Sequence, residues 1–431
     1  MSKPPEISAK GRMSSAYLIT VIQPTQGTFQ PNIKMPSDST NALKFVITGA
    51  GIAGLTCAYF VKRAGHDVVV LEKSSRREQL KNEDGGVRIP PNMMRLLQEL
   101  PGMEETLNAK ATKCAGILFH QCEFEPPTHL TARKTGPQNS SAKWIFHKKS
   151  WMIWDVISIL YHCYYFFCYQ HKDLHEHLYT LCVNCGVEIR HEFEVVEVQT
   201  SRPPHVDGPK VFSKSGEYVT GDIVIGADGK NSVARRVLLA EQDEAEEADS
   251  TTTGSEKSAL SPIKAIVGAT LSIPVSLLES DPELEALLRV ENHLQWMVYM
   301  GDGTSVAMAR YGPDIYLLDL TYGQPPLLGN EDEEWLSGGT PVQSVLEKVQ
   351  EYDARVKKLI SLAKTSHWNI QTVYDLQRYV SKFNQVMVVG DAAHSIYING
   401  THNTAAAFED AFTLAINKSN KNGLEQWKRA R

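Results

Sequence analysis

The sequence predicts an α/β fold: a parallel sheet layered with helices, into which a mixed α+β domain is inserted. Three observations predict it. The run Leu43-Lys44-Phe45-Val46-Ile47-Thr48 is followed by the turn Gly49-Ala50-Gly51-Ile52-Ala53-Gly54 and a helical stretch. A second apolar strand, Val68-Val69-Val70-Leu71, ends in an acid, Glu72. Two later apolar strands run straight into Gly/Asp turns, at Gly226-Ala227-Asp228-Gly229 and at Gly390-Asp391-Ala392-Ala393.

Each part of the first unit has its own physical job. Leu43 to Thr48 is a short β-favouring run that can be buried on both faces of a parallel sheet. Gly49 permits the tight turn, Gly51 lets backbone approach a pyrophosphate, and Gly54 allows close helix–strand packing. The helix N-terminus then offers unpaired N–H groups and a positive dipole end to phosphates. Glu72 lies about twenty residues beyond the glycines, where a carboxylate binds a ribose diol. A carboxylate there repels a 2′-phosphate, so the unit reads as a site for the adenosine of FAD or NAD rather than NADP. The turn by itself leaves FAD and NAD open. Lys73, Arg76 and Arg77 behind the acid read as a solvated face.

The later strands add two turns. Asp228, in Gly221-Asp222-Ile223-Val224-Ile225-Gly226-Ala227-Asp228-Gly229, can be aimed at a ligand beyond the strand's carboxyl end, where open α/β sheets bind. An ordinary Asp-Gly turn is the competing reading. In Val386-Met387-Val388-Val389-Gly390-Asp391, small residues permit close approach of a flat ring, and Asp391 can accept hydrogen bonds from polyol hydroxyls. A helix over Ala405 to Leu414 would point its positive end, near Thr404, at a ring that gains negative charge on reduction.

Length and composition bound the rest. At 431 residues the chain can bury a large core and divide into two domains. A net charge of −6 makes no electrostatic case for nucleic acid or anionic lipid. Seven cysteines without a regular framework suggest a reducing compartment, and a cytoplasmic location is expected. Cys182-Val183-Asn184-Cys185 has no second pair, so it reads as two thiols on a helix; no metal is expected. Residues 1–40 read as a disordered extension, and residues 241–258, acidic and rich in Ser and Thr, as a solvated loop. Trp151 to Tyr169 is almost uninterruptedly apolar and approaches the length of a membrane span. Asp155 would be costly in lipid, so a buried segment is expected and membrane association is the alternative.

Together the three motifs resemble the single-component, group A FAD-dependent aromatic monooxygenases, with the p-hydroxybenzoate hydroxylase fold and the salicylate hydroxylase-like branch closest. The resemblance runs from about Leu43 to the C-terminus. Ile89-Pro90-Pro91-Asn92 after Gly85-Gly86, Asp173-Leu174-His175-Glu176-His177-Leu178 and Tyr352-Asp353-Ala354-Arg355-Val356 also look like that branch. It implies a Rossmann-like FAD-binding domain of parallel sheet and ββα layers, assembled from residues 41–114, 170–235 and 383–431. Residues 115–169 and 236–382 would form the substrate domain.

The resemblance also implies roles. Gly49, Gly51, Gly54 and Glu72 would hold the FAD pyrophosphate and adenine ribose. Gly85 would lie along the flavin, and Asp228 would support contacts to FAD and the pyridine nucleotide. Asp391 would bind the ribityl chain, with the loop around Thr404 under the isoalloxazine. The family's Arg before the Asp-Leu pair is absent, and Lys172 replaces its charge without its bidentate geometry. Ser395 stands where the family has Pro, and Thr401-His402-Asn403 replaces a Gly-Gln-Gly loop, which reduces backbone freedom beside the ring. The chain stops at Trp427-Lys428-Arg429-Ala430-Arg431, short of the helix that the family continues.

The implied reaction uses NADH or NADPH and O2 to hydroxylate a small phenolic or salicylate-like substrate through a flavin C4a-hydroperoxide, in aromatic catabolism or secondary metabolism. The cofactor carries the chemistry, so no catalytic base is named. His293 to Met300 reads as a strand with one polar and one apolar face, and Tyr299, Arg310 and Tyr311 are conceivable substrate contacts. Rival readings are another FAD oxidoreductase, an oxidase or dehydrogenase, and a catalytically inactive relative.

Overall fold

The structure is a computed structural model that describes residues 42–81, 85–114, 117–121, 166–201, 208–248, 264–288, 296–301, 303–322, 342–363, 367–394 and 402–416. The expected extension 1–40, residues 151–165, residues 249–258, Ser395, Thr401 and the C-terminal pattern lie outside the described residues. In chain order the first strands are β1 (Lys44–Thr48), β2 (Asp67–Leu71), β3 (Gly86–Ile89), β4 (Thr112–Cys114), β5 (Ile117–Gln121), β6 (Phe166–Gln170), β7 (Glu188–Arg190) and β8 (Val195–Gln199). There follow β9 (Lys210–Ser213), β10 (Tyr218–Thr220), β11 (Ile223–Gly226), β12 (Lys264–Pro274), β13 (Trp296–Met300), β14 (Thr304–Tyr311), β15 (Ile315–Tyr322), β16 (His367–Val373) and β17 (Val386–Val388). The helices that frame the site and the cores are α1 (Ile52–Arg63), α2 (His171–Asn184), α3 (Val233–Ala248), α4 (Val342–Lys348), α5 (Ala354–Ser361) and α6 (Asn403–Ile416).

A five-stranded parallel sheet runs in the order β17-β11-β1-β2-β7. Strand β1 is central, and its alternating side chains feed two cores. Phe45 and Ile47 join Leu55, Leu178 and Phe408 of α1, α2 and α6. Val46 joins Leu238 of α3 and Val211 of the antiparallel sheet β10-β9-β8. Burying both faces explains why this strand reads as a continuous apolar run rather than an alternating one. Each such side chain, fully buried, contributes about 1.5–3 kcal/mol. The layers are therefore helix, parallel sheet and antiparallel sheet, as the expected α/β class requires.

A six-stranded sheet, β16-β12-β15-β14-β13-β5, forms the inserted part. One face carries Leu271, Tyr299 and Leu318 against Val345 of α4 and Leu359 of α5. The opposite face carries Trp296, Val298 and Tyr311 against Cys114 and Phe166 of the small sheet β3-β6-β4. This corrects the expected pattern of β13: Trp296, Met297, Val298 and Tyr299 are all buried, because both faces of its sheet are covered.

Two further expectations change. Residues 241–248 are helical, the second half of α3, and not loop. Glu, Gln and Ala are good helix formers, and acidic composition alone does not oppose a helix. Phe166 to Gln170 is a strand that pairs with β3 and β4, so the boundary placed between 169 and 170 cuts through one strand. No helix among the described residues is long and apolar enough to cross a membrane.

Candidate functional site

Strands β17, β11, β1 and β2 are parallel neighbours, so their carboxyl ends share one edge of the sheet. Thr48 lies opposite both Leu71 and Gly226, and Gly226 lies opposite Val388. Gly49, Glu72, Asp228 and Asp391 follow those four ends. The topology thus brings together residues that span 342 positions of sequence, at the edge where open α/β sheets bind ligands.

The turn after β1 is shaped for close approach. Gly49 has φ +95°, and a Cβ there would lie 2.5 Å from the Ala227 carbonyl oxygen, so the chain after β11 comes too near for any side chain. A Cβ on Gly54 would collide with the Gly49 carbonyl. Gly51 differs: a Cβ there would meet nothing within 4 Å, which leaves room on the outer side of the turn. It is the N-cap of α1 and makes no side-chain cap, so the first-turn N–H groups have no helical acceptor. Open space beside unpaired donors at a helix N-terminus suits a diphosphate.

Glu72 is 8% exposed. Its Oε2 accepts the Ala50 N–H at 2.8 Å and its Oε1 the Ser74 N–H at 2.9 Å. A carboxylate offers about four acceptor positions, so two remain for a ribose diol. Gly85 immediately precedes β3, and its carbonyl accepts the N–H of His171 at 3.0 Å, which fixes it to the start of α2. Lys172 on that first turn is exposed, whereas His171 turns inward and stacks on His175, with ring centroids 6.3 Å apart. Burial pushes the His171 imidazole down to about 4.

Asp228 is engaged within its own turn. Oδ2 accepts Val233 N–H at 2.7 Å and Ala234 N–H at 3.3 Å, and Oδ1 accepts the Ser232 hydroxyl at 2.5 Å. A negative group at a helix N-terminus gains both donors and dipole, and the local helix α3 takes it. The ordinary turn reading therefore describes this side chain, while the backbone of Ala227 reaches the glycine turn.

Two residues that the motifs did not single out hold the flanks together. Arg235, 4% exposed, donates from Nη1 to the carbonyls of Asp391 (3.3 Å) and Ala392 (3.2 Å), donates from Nη2 to the Lys230 carbonyl, and lies over the Tyr374 ring. Asp410 on α6 is fully buried; its Oδ2 accepts the Gly390 N–H at 3.0 Å and meets His394 Nε2 at 2.7 Å. A basic residue shortly after Asp-Gly, and an acid on the apolar helix α6, were the only signals available. Burial raises the Asp391 carboxyl above the usual range, against the opposing pull of His394, Lys230 and Arg235. Burial likewise lowers Lys230, with Asp391 working the other way. Thr404 is half-buried in the first turn of α6.

The suggested aromatic contacts separate. Tyr299 faces the α4–α5 core and stacks on His120 at 4.5 Å, away from β3. Arg310 donates to the carbonyls of Gly312 and Pro313, pinning its own hairpin. Tyr311 is buried where a Cβ on Gly86 would strike its ring. Beside it, Arg88 bridges to Asp319 at 2.7 Å and lies 4.7 Å from the Trp296 ring centroid, joining β3 to the six-stranded sheet.

Comparison with known proteins agrees with this fold. Residues 42–301 match the family model of the FAD binding domain. The chain is 23% identical over 396 residues to hispidin-3-hydroxylase of Neonothopanus nambi, covering 87% of this chain and 80% of the relative. It is 30% identical over 193 residues to the FAD-dependent monooxygenase pytG of Aspergillus terreus, covering 44% of this chain and 49% of the relative. Among solved structures, CtdE in complex with FAD and substrate superposes with a TM-score of 0.65 at 18% identity, covering 90% of this chain and 85% of that one. PqsL of Pseudomonas aeruginosa gives a TM-score of 0.57 at 19% identity, covering 91% and 92%. The structural likenesses show the fold.

Proposed function

The chain belongs to the FAD-binding domain family, among the FAD-dependent aromatic monooxygenases, and on that premise we propose that it hydroxylates a small phenolic or salicylate-like ring, with NADH or NADPH as reductant and O2 as oxidant. The observation that carries the reading is the convergence of the glycine turn, Glu72 and Asp391 at the ends of adjacent parallel strands. FAD fits the residues present: Gly51 leaves room beside unpaired helix N–H groups, and Glu72 and Asp391 supply carboxylate acceptors at two separated places. When bound and reduced, FAD supplies the activation of O2 for insertion of one oxygen atom into an electron-rich ring.

The protein's own work is binding, orientation and water exclusion. Gly49, Gly51 and Gly54 shape the pyrophosphate turn, and Glu72 accepts from the adenosine ribose. Asp391 accepts from the ribityl hydroxyls, and Arg235 and Asp410 hold its loop in place from either side. Gly85 and Thr404, at the N-terminus of α6, would help hold the flavin, the helix dipole favouring negative charge on the ring. Asp228 acts through α3 and the backbone at Ala227. Lys172, exposed at the start of α2, gives long-range positive charge to the phosphates. One relative is named a hydroxylase, which supports hydroxylation, while others of similar identity are named oxidases.

The test is substrate-dependent NADH and NADPH consumption by the FAD-loaded full chain over a panel of phenols and salicylates, with product analysis. Hydroxylated product stoichiometric with reductant is expected. Peroxide release without hydroxylated product would favour an oxidase, and a protein that takes up no FAD would support an inactive relative.

A further inference from the structure

A ladder of rings runs beneath the two loops of the adenosine half. His171, His175 and Tyr179, spaced four apart on α2, stack with centroids 6.3 and 6.4 Å apart, and Tyr179 continues to His191 at 6.0 Å. Two of its rungs each hold a loop. His175 Nε2–H donates to the Ala50 carbonyl at 2.7 Å, and His191 Nδ1–H donates to the Ser74 carbonyl at 3.1 Å. The Tyr179 hydroxyl meets His191 Nε2 at 3.2 Å, and Arg76 lies over the Tyr179 ring while pairing with Glu176.

Ala50 sits inside the glycine turn, between Gly49 and Gly51, so its peptide groups decide where the neighbouring N–H groups point. Its N–H is held by Glu72 Oε2 at 2.8 Å and its carbonyl by His175 at 2.7 Å. Both partners are buried, at 8% and 2% exposure. Gln79 Nε2 adds only a long contact of 3.4 Å to the same carbonyl. The Gly49–Ala50 peptide is thus held through its N–H and the Ala50–Gly51 peptide, which carries the Gly51 N–H, through its carbonyl; without His175 the second plane loses its buried partner.

We propose that His175 is a positioning residue for the diphosphate site: by holding the Ala50 carbonyl it keeps the turn's N–H groups and the first turn of α1 facing the pyrophosphate. The proposal rests on the FAD reading above. It assigns His175 no contact with the ligand and no proton transfer. Burial lowers the imidazole's pKa and keeps it neutral, so the Ala50 carbonyl selects the Nε2–H tautomer. The stack with His171 and Tyr179 fixes the ring plane, which makes the donor directional.

Two variants separate hydrogen bonding from packing. His175→Phe keeps an aromatic ring in the ladder and loses the donor; His175→Gln keeps an N–H donor and loses the ring. FAD is titrated into the deflavinated full-length protein by quenching of flavin fluorescence, and the apoprotein's melting temperature is recorded alongside. Loss of one buried hydrogen bond predicts about a tenfold weaker Kd for His175→Phe, with His175→Gln within about threefold of wild type. The apoprotein melting temperatures are expected not to follow that order. Wild-type affinity in His175→Phe overturns the proposal. Equal losses in both variants that track their melting temperatures also overturn it, because packing alone explains them. A wild-type chain that binds no FAD removes the flavin reading itself, a result distinct from either.

Discussion

The proposed adenosine end and the proposed flavin end of the site lie on the same sheet edge but are built differently. At the adenosine end, Gly49, Ala50 and Glu72 come from one contiguous β-α-β stretch, with α2 closing from below. At the flavin end, Asp391 is held by Arg235 from α3, and its neighbour Gly390 by Asp410 from α6. The first end is built on a local turn, to which α2 adds the His175–Ala50 hydrogen bond. The second exists only when three distant segments are docked, so its stability is that of the tertiary fold. Buried charged groups carry the second end, which makes each of its partners expensive to remove.

That contrast can be broken most decisively at Asp410. Asp410→Ala leaves the Gly390 N–H and His394 without their buried acceptor, and should lower stability by about 2–4 kcal/mol, read from urea unfolding, with loss of bound FAD. If stability is unchanged, the flavin end does not depend on docking α6. Glu72→Gln tests the other end: losing a charge-assisted acceptor from Ala50 N–H should cost about 1.5–3 kcal/mol of FAD affinity, measured by titration, with a smaller change in apoprotein stability. Arg235→Lys keeps the charge and loses the forked donation to three carbonyls. It should raise the FAD dissociation rate severalfold, a loss of about 1 kcal/mol, while leaving the adenosine end's contacts intact.

The smallest effect belongs to Asp391, and its sign is the sharpest. Its folded-state pKa is raised by burial, so the folded apoprotein binds a proton more tightly than the unfolded chain. The stability that this proton contributes is full below the ordinary carboxylate range and is lost as pH rises through the raised value. Asp391→Asn should therefore leave the apoprotein slightly more stable at neutral pH and flatten that part of the pH profile of melting temperature. The same variant should bind FAD more weakly. An unchanged pH profile would mean that Asp391 does not feel its burial.

Much of this was legible in the residues. The glycine turn, the strand pair around it, the acid at position 72 and the two later Gly/Asp turns were all readable, because each is a local pattern whose physical requirement is met by neighbours in sequence. Asp228 was readable as a turn, yet its carboxylate goes to the α3 N-terminus, since a nearby helix competes successfully for any free acid. Tyr299 and Tyr311, on neighbouring strands β13 and β14, could not be told apart from sequence. They separate only because the six-stranded sheet is covered on both faces, by helices on one and by β3-β6-β4 on the other. The acidic stretch 241–248 was misread as loop because solvation was weighed above helix propensity.

The sequence by itself determined the α/β class, the strands that end in the glycine and Gly/Asp turns, and the turns themselves, because backbone conformation at glycine and apolar strand runs are short-range properties. Tertiary structure alone decided which buried groups hold those turns: His175 under Ala50, Arg235 across Asp391 and Asp410 beneath Gly390. These pairings join residues 125, 156 and 20 positions apart. No local pattern specifies such partners; they meet because sheet order and helix docking bring them within hydrogen-bond reach, where burial makes leaving a polar group unpaired too costly.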